Sequence, residues 1–100
     1  MGFAGVWQIE IATPIGKQEV TLTIDEKGGV VTGTATQGPE TVPFVDPVLI
    51  GDRLQWTQTV TKPLKMTIKF DLVRSDSTLT GTAKPGIFPQ VKVIGKRSAA

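Results

Sequence analysis

Strict alternation of apolar and polar residues dominates this chain and leaves it few ways to fold. Val20, Leu22 and Ile24 alternate with Thr21, Thr23 and Asp25, and Leu64, Met66, Ile68, Phe70 and Leu72 alternate with Lys65, Thr67, Lys69 and Asp71. Successive side chains on a strand point to opposite faces, so each run reads as a strand with one buried and one wet face. No convincing helical period appears. Turn signals (TPIGK, EKGG, TQGPET, LIGD, TKP, RSDS and KPGIF) interrupt the alternation at short intervals. They predict eight strands, near residues 6–13, 18–26, 30–36, 41–49, 53–60, 64–74, 78–84 and 89–97.

An internal echo supports this division. VTLTIDEKGGVVTGTA (20–35) and MTIKFDLVRSDSTLTGTA (66–83) share a long strand, a polar turn and the ending TGTA. Pairing parity sets Gly33 against Leu22 and Gly81 against Phe70. Glycine within a strand marks a sharp bend or a close approach. Two such bends fit an all-β, eight-stranded antiparallel up-and-down barrel, with an open sandwich as the alternative. One hundred residues without cysteine make a single domain, residues 1–100, held by packing and hydrogen bonds alone.

In such a barrel the last strand closes antiparallel on the first. Pairing Trp7 with Arg97 then sets Ile9 against Gly95, Ile11 against Val93 and Thr13 against Val91, all on one face. Gln8, Glu10, Lys92 and Lys96 take the other face. Arg97 comes to lie against the Trp7 indole, a cation–π contact that seals one end. A Gly-x-Trp on the first strand with a basic residue closing the last, here Gly5, Trp7 and Arg97, resembles the calycin superfamily of lipocalins, fatty-acid-binding proteins and avidins. The layout also resembles short bacterial calycin-like domains of unassigned function, some of which lie beside hydrolase domains. The strands are shorter than a lipocalin's and no flanking helix is visible, which argues against a large lipocalin-type cavity.

The two barrel ends differ. Short polar turns (EKGG, IGD and SDS) lie at the Trp7–Arg97 end, whereas each loop at the other end carries a proline: Pro14, Pro39, Pro63 and Pro85. With Ile15, Ile87 and Phe88 they predict a stiff apolar rim, either a pocket mouth or an interface patch. Strand four (TVPFVDPVLIG) has conflicting parities, with Val42 and Phe44 inside from one side and Leu49 inside from the other. A bulge near Val45-Asp46-Pro47 reconciles them, and Asp46 either turns inward there or caps the bend from outside. Gln58 points inside among apolar residues and needs a partner, whether ligand, water or loop carbonyl. Trp56, Gln58, Met66, Phe44, Phe70 and Phe88 are the candidate ligand-binding residues, and core filling is the plainer role for Trp56 and Met66.

Enzyme signals are poor. Without His or Cys, no Ser-His-Asp or Cys-His device and no zinc site of the usual type can form, and no cofactor is implied. The N-terminal half carries Lys17 and Lys27 against six acids, and the C-terminal half nine bases against Asp52, Asp71 and Asp76. That dipolar distribution suits a solvated surface or the steering of an anion. The outward basic stripe of Lys65, Lys69, Lys92 and Lys96 lacks aromatic residues for base stacking, which argues against nucleic acid. No apolar stretch spans a membrane and no signal-peptide pattern precedes strand one, so a cytoplasmic protein or excised domain is expected. The leading function is binding of a small apolar molecule. An accessory or oligomerisation domain associated with an enzyme, for which a homodimer is one form, or a cofactor-free isomerase or cyclase using the pocket, are the alternatives.

Overall fold

The computed structural model describes residues 2–13, 16–60 and 65–98. Among the described residues the regular structure consists of nine strands: β1 (Gly5–Thr13), β2 (Gly16–Lys27), β3 (Val30–Gln37), β4 (Glu40–Pro43), β5 (Val45–Ile50), β6 (Arg53–Val60), β7 (Met66–Ser75), β8 (Thr78–Pro85) and β9 (Val91–Arg97). They form one antiparallel sheet in the order β4-β3-β2-β1-β9-β8-β7-β6-β5, curled into a nearly closed barrel. The inward faces carry the core, with Trp7, Leu22, Leu54, Leu72 and Leu79 wholly buried.

The closing register agrees with the sequence. β1 pairs with β9 through Trp7↔Arg97, Ile9↔Gly95 and Ile11↔Val93, but this ladder ends there, without the expected Thr13–Val91 pair. Two hairpin registers need correction. Gly33 lies opposite Ile24, not Leu22, and Gly81 lies opposite Leu72, not Phe70. Both hairpins turn more tightly than expected. Gly28 and Gly29 take φ of 56° and 82°, the left-handed pair of a two-residue turn, and Asp76 takes φ 54° in the other. A slip of two positions keeps every side chain on its predicted face.

The strand expected over 41–49 is two strands, making nine instead of eight. β4 pairs with β3 and β5 pairs with β6, so the chain changes neighbours at Phe44. There the Phe44 amide donates to the Gly33 carbonyl at 2.9 Å, stitching the two sides of the seam. The predicted bulge is present, because the β5–β6 register shifts between Val45 and Val48, and Asp46 takes φ 49°. Leu49 then faces inward beside Leu54, as parity required.

Gly33 and Gly81 are sites of close approach. A Cβ on Gly33 would meet the Phe44 ring at 2.6 Å, and one on Gly81 would lie 2.0 Å from the Asp71 carbonyl oxygen. Backbone cannot yield there as a flexible side chain can. Gly81→Ala is therefore expected to lower stability by about 1–3 kcal/mol, measured by urea unfolding; an unchanged midpoint would show that the sheet relaxes freely at this bend.

Candidate functional site

One end of the barrel is shut by side chains that grip the segment before β1. Phe3 is buried, with its ring centroid 6.4 Å from that of Trp7. The Trp7 indole Nε1 donates to the Phe3 carbonyl at 2.7 Å, and the Phe3 amide donates to Glu26 Oε1 at 2.9 Å. Arg97 donates to the carbonyls of Gly2 and Ala4, and its Cζ stands 4.2 Å from the Trp7 ring centroid. The cation–π contact thus forms as expected. Gly5, at φ 131°, lies where a Cβ would stand 2.9 Å from Arg97 Nη1. The glycine of the Gly-x-Trp spacing has a direct cause in its backbone: at φ 131° a residue with a side chain is strained, and a Cβ there would also press on the tip of Arg97.

Arg74 closes the same end from β7, its Nη2 donating to Asp52 Oδ1 at 3.0 Å and its Nη1 to the Asp76 carbonyl at 3.1 Å. Phe3, Glu26 and Arg74 have no part in the sequence reading of this end. Parity carried two positions past Ile24 and Leu72 points to Glu26 and Arg74, so a signal for both exists. Phe3 precedes the alternating run and leaves no such signal.

Within the barrel, Phe44, Trp56 and Phe70 form a continuous stack. Phe44 and Trp56 centroids lie 4.2 Å apart at 16°, and Trp56 and Phe70 lie 4.7 Å apart at 7°. Gln58 is buried beside them, 3% exposed, and its Oε1 accepts from the Trp56 Nε1 at 3.0 Å. The indole thus supplies a donor for the oxygen of this amide. Four of the six candidate ligand-binding residues come together here.

The other two do not join the stack. Met66 is half-buried at the start of β7, and Phe88 lies 42% exposed on the loop after β8. Ile87 beside it is 95% exposed. Around the opposite end Val42, Ile68 and Val91 are only partly buried, packed against the core. Gln18 and Gln37, also at inward parity, hydrogen-bond to each other at this end. Of the predicted proline rim, Pro39 and Pro85 are at this end, while Pro14, Ile15 and Pro63 lie outside the described residues. Asp46 is exposed on the outer side of the bulge, so the inward orientation needed for pocket chemistry is not adopted.

No group of acidic residues suited to hold a metal ion occurs among the described residues. Among the same residues no helix is long and apolar enough to cross a membrane. No protein-family model, curated protein or solved structure matches the chain.

The shut end sets a clear expectation for stability. Trp7→Ala removes a wholly buried indole, the cation–π contact and the donor to Phe3, and should cost about 3–5 kcal/mol. A loss below about 1 kcal/mol in chemical denaturation would show that the seam holds without the indole.

Proposed function

We propose that the protein is a binding module for a small apolar molecule, a calycin-like barrel acting in the cytoplasm, with the guest seated at the end away from Trp7 and Arg97. The observation that carries this reading is the asymmetry of the interior. One end is occupied by Phe3, Trp7 and Arg97, whereas the other presents the partly buried Val42, Ile68 and Val91 above an aromatic stack. The stack fills the middle of the barrel, so a guest rests against its edge and does not pass through. The edges of the Trp56 and Phe70 rings supply apolar surface, Met66 an adaptable wall, and the Gln58 amide a polar group that orients the guest.

A second reading draws on the 95% exposure of Ile87, next to the partly exposed Phe88. Two adjacent apolar residues on a loop favour contact with another protein surface or a second copy of the chain. On this reading Phe88→Glu converts a dimer to a monomer in sedimentation equilibrium without altering the circular dichroism. A monomer for the unsubstituted protein over the accessible concentration range removes the homodimer.

The apolar fluorophore N-phenyl-1-naphthylamine tests the first reading. Its emission should rise on titration with the protein, with quenching of tryptophan fluorescence that survives Trp7→Phe and is largely lost in Trp56→Phe. No rise in probe emission, or equal responses in the two variants, overturns apolar binding at the stack.

A further inference from the structure

We propose that the outer face of the barrel carries a second, polar binding site, which takes a small hydroxylated carboxylate of the sugar-acid class. The outside of a barrel is ordinarily convex, yet here a cleft of about 410 Å³ opens over β5, β6, β7 and β8. That volume falls within the range of small-molecule sites. The β5 bulge contributes Asp46 and Val48 at one margin, and the segment leading into β9 contributes Gln90. Lys84 Nζ donates to the Phe88 carbonyl at 3.2 Å, tying the loop after β8 back against the outer face.

Charge on the floor indicates what the cleft would accept. Lys69 and Lys84 are directly opposed across the β7–β8 ladder, and both line the cleft. Like charges directly opposed on a sheet repel, and an anion held between them offsets that repulsion. The nearest acid on the same strand face, Asp71, is already engaged. Arg53 Nε donates to its Oδ1 at 2.8 Å and Arg53 Nη2 to its Oδ2, and Gln55 adds a third donor at 3.3 Å. This fork holds the Asp71 carboxyl below its ordinary range, so it stays ionised but committed to Arg53. Among the described residues neither Lys69 nor Lys84 belongs to an ion pair. A ligand carboxylate between the two ammonium groups relieves their repulsion, and Lys84 has donors to spare beyond its bond to Phe88.

The remainder of the cleft selects the body of the ligand. Thr57, Thr82 and Gln90 offer hydroxyl and amide groups. Asp46, held at φ 49° by the bulge, offers an acceptor-only carboxylate that suits ligand hydroxyls and repels a second negative charge. The side chains of Trp56 and Phe70 are buried in the barrel, so no aromatic face is available to stack a nucleobase. An anion at one end and hydroxyls along its length therefore fit better than a nucleotide or a dianion.

Titration of isotopically labelled protein with D-gluconate, followed by amide chemical shifts, tests the proposal, with D-glucose and acetate as comparisons. Gluconate should give saturable shifts at Thr57, Lys69, Thr82 and Lys84. Lys69→Gln and Lys84→Gln should each weaken binding about tenfold, the loss of one charge-assisted contact. Lys96→Gln, which removes a lysine outside the cleft, should leave it unchanged. Asp46→Asn should weaken gluconate while leaving the response to acetate intact. Equal shifts with glucose, affinity for acetate equal to that for gluconate, or equal effects of all three lysine substitutions would overturn the site. N-phenyl-1-naphthylamine binding should be unaffected by these substitutions, which keeps failure at this cleft distinct from failure at the aromatic stack.

Discussion

The Arg97 guanidinium is the group on which the rest of the barrel depends. It packs on the Trp7 ring, donates to the carbonyls of Gly2 and Ala4, and sits on the strand that pairs with β1. A planar fork with several donors can do all of this at once, whereas a lysine ammonium lacks the flat face and the fixed fork. The segment over the barrel end is thereby hydrogen-bonded on both sides, its Phe3 amide satisfied by Glu26 and its Phe3 carbonyl by Trp7. A buried backbone group left without a partner costs about as much as a lost hydrogen bond, so the end could not be covered by apolar residues alone. Placing a large tryptophan close to the N-terminus is thus a requirement of closure.

On the far side of the sheet order the joint is lighter. β4 and β5 are the sheet's two ends in the pairing order, yet they are consecutive in the chain. What spans the gap is the turn of the backbone at Phe44, one amide–carbonyl bond to Gly33, and the Phe44 ring stacked on Trp56. The absence of a side chain on Gly33 is what admits that ring. The aromatic stack therefore serves the fold as well as offering a surface to a guest. Substitution at Phe44 cannot separate the two roles, whereas substitution at Gln58 or Met66 can.

Alternation revealed which side chains face inward, including Gln58, and the parity of Trp7 and Arg97 revealed the closing register. The hairpin registers were less accessible, because a shift of two positions preserves every face; only the left-handed turns at Gly28–Gly29 and Asp76 decide between them. The parity conflict in 41–49 exposed the bulge at Asp46 but not the change of partner at Phe44, which is a tertiary event. Phe3 was hidden because a single apolar residue before a strand has no period to detect. The outer cleft was hidden for a further reason: concavity on a sheet's outside arises from how a bulge and a loop stand relative to the strands between them. The register expected from sequence set Lys69 against Thr82, and only the corrected register brings Lys69 and Lys84 face to face.

The order of the strands has a consequence for how the chain reaches this state. Every ladder except β1–β9 joins strands that follow one another in the sequence. Without that one ladder the sheet falls into two meanders, β1 to β4 and β5 to β9, hinged at Phe44. Each contains one of the two echoed hairpins and can assemble from local contacts, which form fast. Their union brings together residues as far apart as Ala4 and Arg97, 93 positions along the chain, and bears the entropy of closing that loop. Of all the ladders, this one carries the largest loop-closure entropy. Until it forms, β1 and β9 are bare edges, and the β1 edge of one molecule matches the β9 edge of any other as well as its own.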